Sequence, residues 1–259
     1  MGKVGKVGKV HRQSSYDVRF DWGLEGAAAV ADGADVAVIV DVLSFTTTLS
    51  VAADVGTVVL PYRWNDARAH DYAQQHDAVL AVGRSQAGSG QFSLSPMTLR
   101  SAPAPPRLVL PSPNGSSIAY WLGTRAAACV GASLRNAAAV VAWIRLQYRP
   151  GATVAVIAAG ERWPGGGLRP AIEDLWGAGA VIRGLSGGGW TALSPEAKLA
   201  RAGYEDMSGH DRRALMSCVS GQELINKGYR ADVEIAAEVD LSDAVPLLQG
   251  QRFVRVSSP

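Results

Sequence analysis

The chain has 259 residues, 47% of them apolar and 19% charged, with a formal charge of +2. That length buries a sizeable core. That charge is too small to argue for nucleic acid or an anionic membrane as partner, and no apolar run reaches the roughly 18 to 20 residues of a membrane span.

The opening "MGKVGKVGKVHRQ" repeats GKV without an apolar core, so it reads as a basic tail over 1–14 rather than a secretory signal. Residues 15–259 then read as a single α/β domain. Cys129 and Cys218 are too few for a disulfide framework, which makes reduced thiols and a cytoplasmic location the expectation. Strands are predicted at 16–20, 36–40, 57–60, 78–82, 108–110, 127–130 and 153–158. Helices are predicted at 24–31, 47–54, 65–75, 116–122, 134–147 and 171–183. This alternation predicts a mixed, largely parallel sheet flanked by helices. Segments 195–203, 209–219 and 222–227 then read as a helical excursion, before strand-like "ADVEIAA" and "RFVRV". Residues 83–106 show no period, which in a compact domain marks a functional or disordered loop.

Chemistry gathers where strands end, the edge at which open α/β sheets bind ligands. In "VIVDVLSFTTTLS", Asp41 closes an apolar run and Thr46, Thr47 and Thr48 open the next helix. Helix-start amides and hydroxyls suit an anion, and a carboxylate beside a phosphate calls for a hard cation such as Mg2+ between them. Helix capping explains the same residues without any ligand. "LPSPNGSSIA" repeats the pattern with Asn114, Gly115, Ser116 and Ser117, and "GASLRNAAAVV" repeats it with Arg135 and Asn136. An arginine in a first helical turn opposes the dipole, so Arg135 is expected to have an anionic partner.

"GLRPAIEDLWGAGAVI" places Glu173 and Asp174 in a first turn after Pro170. Adjacent carboxylates point about 100° apart on a helix, so at most one should face the sheet edge. Gly177 and Gly179 inside that helix suggest close packing on the sheet. Glu161 and Arg162 add an acid and a base to the same rim. The four histidines are scattered, and no zinc pattern, P-loop, dinucleotide fingerprint or nucleophile elbow is present.

"DVLSFTTT", "SLSP", "SPNGSSIA", "GASLRNAAAV" and "IEDLWGAGAVI", in that order and spacing, resemble the 2-phosphosulfolactate phosphatase family of coenzyme M biosynthesis, from about Asp17 to Phe253. The resemblance implies a Mg2+-dependent α/β phosphatase that converts 2-phospho-3-sulfolactate to sulfolactate and phosphate. It assigns Asp41 and one of Glu173 or Asp174 to catalysis, with Asp41 and Asp174 as metal contacts, and leaves a phosphoenzyme on Asp41 and direct attack by water both open. Thr46 to Thr48, Ser95, Asn114 to Ser116 and Asn136 would bind phosphate, while Arg84, with Arg135 or Arg169, would neutralise the other acid groups. Ser44 stands where the family pattern carries arginine, Gly83 where it carries glutamate, and Leu94 where it carries asparagine. These departures leave two further readings: a phosphatase for a sugar or nucleoside phosphate, and a non-catalytic anion-binding relative. A homodimer is the base-rate expectation.

Overall fold

A computed structural model describes residues 8–63, 68–123 and 125–257. The first half runs β1 (Val18–Trp22), α1 (Gly23–Val30), β2 (Val36–Val40), α2 (Phe45–Asp54), β3 (Val58–Tyr62), α3 (Arg68–Gln75), β4 (Val79–Leu80), α4 (Pro96–Ser101), β5 (Arg107–Pro111) and α5 (Gly115–Leu122). It continues through β6 (Ala128–Ala132), α6 (Ala137–Gln147), β7 (Val154–Ala158), the short hairpin β8 (Glu161–Arg162) and β9 (Leu168–Arg169), and α7 (Ile172–Gly187). Four helices follow, α8 (Pro195–Met207), α9 (Asp211–Ser217), α10 (Val219–Asn226) and α11 (Arg230–Ala236), before β10 (Ala244–Gln249) and β11 (Arg252–Ser257).

Nine strands form one sheet in the order β1-β7-β2-β6-β10-β11-β3-β5-β4. β1, β7, β2 and β6 run parallel, as do β3, β5 and β4. The antiparallel β10–β11 hairpin joins the two blocks, meeting β6 at Leu247–Val130 and β3 at Phe253–Val59. β2 is buried along its whole length, as expected of a parallel strand covered on both faces. Val36, Val38 and Val40 pack with residues of α6, α7 and α8, and Ala37 and Ile39 with residues of α1, α2 and α5.

The sheet is strongly curled. In a flat sheet β2 and β5 would lie about 24 Å apart, at about 4.8 Å per strand. Asp41, just past β2, nevertheless hydrogen-bonds the backbone of Gly115, just past β5, at 3.1 Å. The few residues between β5 and Gly115 span at most about 14 Å, so the two blocks must bend toward each other. α2 lies inside the bend, in contact with β6, β10, β11 and β3, and its residues from Phe45 to Ala53 are buried.

Several expected elements differ. "ADVEIAA" is not a strand but α11: its polar and apolar residues alternate in the sequence, but the buried Asp232, Val233, Ile235 and Ala236 follow helical spacing. The irregular stretch 83–106 contains a 3-10 turn at Arg84–Gln86 and α4. The helix expected at 209–219 breaks at Cys218, which caps α10. The first residues of the helix expected at 65–75 lie outside the described residues, as do residues 1–7 of the expected tail. The rest of that tail is attached: Gln13 exchanges side-chain hydrogen bonds with the Phe20 backbone at 2.9 and 3.1 Å, and Arg12 pairs with Asp32 at 2.9 Å. No helix among the described residues is long and apolar enough to cross a membrane.

Candidate active site

The ends of β2, β5 and β7 and the start of α7 meet at one place. The first amides of two helices hold the Asp41 carboxylate: Oδ1 accepts from Phe45 N–H and Oδ2 from Gly115 N–H, both at 3.1 Å. Helix starts leave amides unpaired and favour negative charge, and here a side chain of the chain itself supplies it. Only glycine fits at 115, since a Cβ would stand 2.3 Å from the Phe45 ring and 2.8 Å from Asp41 Oδ2.

Asp174 ties two strand ends together, accepting from Val42 N–H at 2.7 Å and Gly160 N–H at 2.8 Å. Its neighbour Glu173 is also buried. Of the two places open to the second acid, capping the helix or contacting solvent, burial excludes solvent, because α7 is covered on both sides. Gly177 meets Val40 and Val42 of the β2 end, whereas Gly179 meets the backbone of α8 at Ala200.

Glu161 completes the group, with Oε2 accepting from Asn114 Nδ2 at 3.1 Å while Asn114 Oδ1 accepts from Arg162 at 3.2 Å. Among the described residues these four acids form no ion pair. Burial pushes Asp41 up to about 6, with Glu173 adding to the rise and the two amides and Arg84 opposing it. Burial pushes Glu161 up to about 7, helped by Asp41 and Glu173. Asp174 is raised well above the ordinary range by burial and by the Asp41 and Glu173 charges.

Glu161 also lines a cleft of about 660 Å³ bounded by Leu43, Arg84, Arg162, Trp163, Arg169, Glu223, Lys227 and Tyr229. Four cations and two acids line this space, with Lys227 paired to Glu223 at 2.6 Å. Arg169 donates to Ser220 Oγ at 3.1 Å and lies over the Trp163 ring at 5.8 Å. A second concavity of about 630 Å³, around His210, Arg212 and Arg213, borders none of the four buried acids.

The other sequence-derived residues are committed to the main chain or to each other. The hydroxyls of Thr46, Thr47 and Thr48 donate to the carbonyls of Asp41, Val42 and Leu94 at 2.8, 2.7 and 2.9 Å. Ser116 donates to the Leu110 carbonyl at 2.9 Å. Each hydroxyl has one hydrogen, and these four are used. Ser95 donates to Asp232, an acid the sequence reading passed over. Asn136 bonds Ser133 N–H and the carbonyls of Gly131 and Ala244 at 2.9, 3.2 and 3.0 Å. Arg135 is 2% exposed and bonds Asp54 at 2.8 Å, Ser50 at 3.1 Å and Glu238. Asp54 ends α2 while Asp41 sits at its start, about 15 Å away at 1.5 Å per residue. The β6 loop thus joins a separate network. Lys227 and Tyr229 were also not singled out in the sequence, where isolated residues after a helix carry no signal.

No group of three or more His, Cys, Asp or Glu among the described residues is arranged to hold a metal. Mg2+ needs less, since it usually takes one or two carboxylates and keeps waters or phosphate oxygens as its other ligands.

Among the described residues, the α/β scaffold thus sets buried acids that form no ion pair beside a cation-lined cleft. The sequence profile of the 2-phosphosulpholactate phosphatase family matches residues 26–251. Proteins named probable 2-phosphosulfolactate phosphatase are similar: that of Thermus thermophilus is 30% identical over 84% of this chain and 89% of its own length. Those of Deinococcus radiodurans and Thermotoga petrophila are 28% and 25% identical, covering 83% and 86% of this chain and 88% and 93% of their own. The chain belongs to the 2-phosphosulfolactate phosphatase family, and with it to the phosphoric monoester hydrolases.

Proposed function

We propose that the chain hydrolyses 2-phospho-3-sulfolactate, an ester that carries carboxylate and sulfonate beside its phosphate. The observation that carries this reading is the junction of two opposite environments, acids without counter-ions and a cleft with four cations. Arg84 and Arg169, with Arg162 and Lys227, bind the three acid groups. Guanidinium groups suit this task because they donate in pairs to planar and tetrahedral oxyanions.

In the reaction a water oxygen bonds phosphorus, the ester P–O bond breaks, and the leaving alkoxide takes a proton. Asp41 orients the water and accepts its proton. Glu161, held near neutrality by burial, gives a proton to the leaving oxygen, a role that requires the protonated form.

The donor set fits Mg2+: oxygen ligands only, buried, and without a cation of their own. Asp41 would hold it with Glu173 or Asp174, and the ion would supply charge neutralisation for the phosphate. Asp41 and Asp174 each also accept two amide hydrogens, at 3.1 Å for Asp41 and at 2.7 and 2.8 Å for Asp174, so each would keep those bonds while offering its remaining lone pairs to the ion.

One observation favours a second reading, the same chemistry on another ester. Ser44 is buried beside Arg84 and brings a hydroxyl there, not a cation; it accepts from Arg84 at 2.6 Å. Phosphate release across a panel of esters, with Mg2+ and with EDTA, tests both. Turnover of phosphosulfolactate that EDTA abolishes is the expected result. Faster turnover of a sugar or nucleoside phosphate would install the second reading.

A further inference from the structure

Asp232 lies on α11, away from the strand ends that carry the four acids, and is 1% exposed. Its Oδ1 accepts the Ser95 hydroxyl, and its Oδ2 stands 3.2 Å from Arg84 Nε. The alignment is poor enough that neither Oδ2 nor Nε makes a directed hydrogen bond, although both are buried. Such a pair adds little stability, because desolvation offsets the attraction. Its effect is geometric. Arg84 Nη2 donates to Ser44 Oγ at 2.6 Å and to the Leu94 carbonyl at 3.3 Å, and the guanidinium lies over the Tyr229 ring at 5.4 Å. Among the described residues Nη1 has no hydrogen-bond partner, and Arg84 lines the cleft.

Arg84 stands on a 3-10 turn in an otherwise irregular segment, where a long side chain has many rotamers to lose. Held on its Nε and Nη2 sides, the planar fork keeps one orientation and offers its free edge to the cleft. Taking the cleft as the phosphate-ester site, we propose that Asp232 is a positioning residue. With Ser95 it fixes Arg84 so that Nη1 meets an anionic group of the substrate.

The test compares wild type, Asp232→Asn, Arg84→Gln and the double variant in the full chain. It reads KM and kcat for the turned-over ester, and the Kd for inorganic phosphate by calorimetry. Asp232→Asn should raise KM and the phosphate Kd by about tenfold, the scale of one misplaced charge-assisted contact, with a smaller change in kcat. In the Arg84→Gln background it should change nothing further, because its effect passes through Arg84. If Asp232→Asn does not fold, Ser95→Ala decides, with a smaller rise in KM expected and an unchanged KM overturning the proposal. A folded Asp232→Asn with wild-type KM and phosphate affinity overturns it, as do losses that add in the double variant. A wild-type chain that neither binds phosphate nor hydrolyses any ester overturns the functional reading, and this proposal with it.

Discussion

The loops after β2 and β6 follow the same sequence plan, a buried strand, polar residues at its end, then an apolar helix. The two strands are hydrogen-bonded neighbours in the sheet. Yet one loop carries Asp41, an acid with amide donors and no counter-ion, and the other carries Arg135, a cation enclosed by Asp54 and Glu238. The difference teaches how to separate chemistry from architecture within one motif. A buried charge whose partners are already present holds the fold together. A buried charge stabilised only by dipoles is left able to take a proton, a cation or a substrate.

Breaking the β6 network is the coarsest way to challenge that contrast. Arg135→Ala leaves Glu238 and Asp54 without their buried partner, and should cost about 3 kcal/mol, the lower end for a broken buried pair. For a chain of this size that lowers the melting temperature by roughly 6–12 °C. Turnover per folded molecule and KM should stay near wild type. A raised KM with normal melting would instead place Arg135 in substrate binding and erase the distinction.

Acid titration sharpens the comparison with a smaller effect, because the two regions respond with opposite sign. Asp41 and Glu161 are raised to about 6 and about 7 by burial, so each holds its proton more tightly folded than unfolded. Their contribution is complete below the ordinary carboxylate range near 4 and is lost as pH rises through 6 and 7. Glu238 is lowered, chiefly by its hydrogen bonds from Arg100, so its contribution is present above that range and lost below it. Thermal melts of the metal-free chain should therefore peak near pH 5 and fall by several degrees toward pH 8, with Mg2+ flattening the upper limb. A stability curve that rises from pH 5 to pH 8 would contradict the unpaired state of the acids.

The parallel strands were legible because burial on both faces writes an uninterrupted apolar run, as in β2 and β7. The antiparallel closure was legible only as two late strands. That they join two parallel blocks depends on Leu247–Val130 and Phe253–Val59, pairings between distant segments with no local signature. The same holds for the site. Asp41 and Asp174 could be singled out as polar residues ending an apolar strand and opening a helix. That Asp41 also reaches Gly115, and that Asp174 bridges Val42 and Gly160, depends on contacts between segments far apart in the chain. Asp232 was hidden by its own surroundings, since A-D-V-E-I-A-A fits alternation as well as a helix. The threonine row was visible, but a hydroxyl can face a ligand or its own backbone, and composition does not distinguish the two.

The central claim is that Asp41 is held ready for chemistry rather than for folding. Steady-state phosphate release by Asp41→Asn in saturating Mg2+, with a thermal melt on the same sample, tests it most directly. The expected result is a fall in kcat of about a thousandfold, within the range for a removed catalytic acid or base, and a melting temperature within a few degrees of wild type. Undiminished turnover in the folded variant would contradict it.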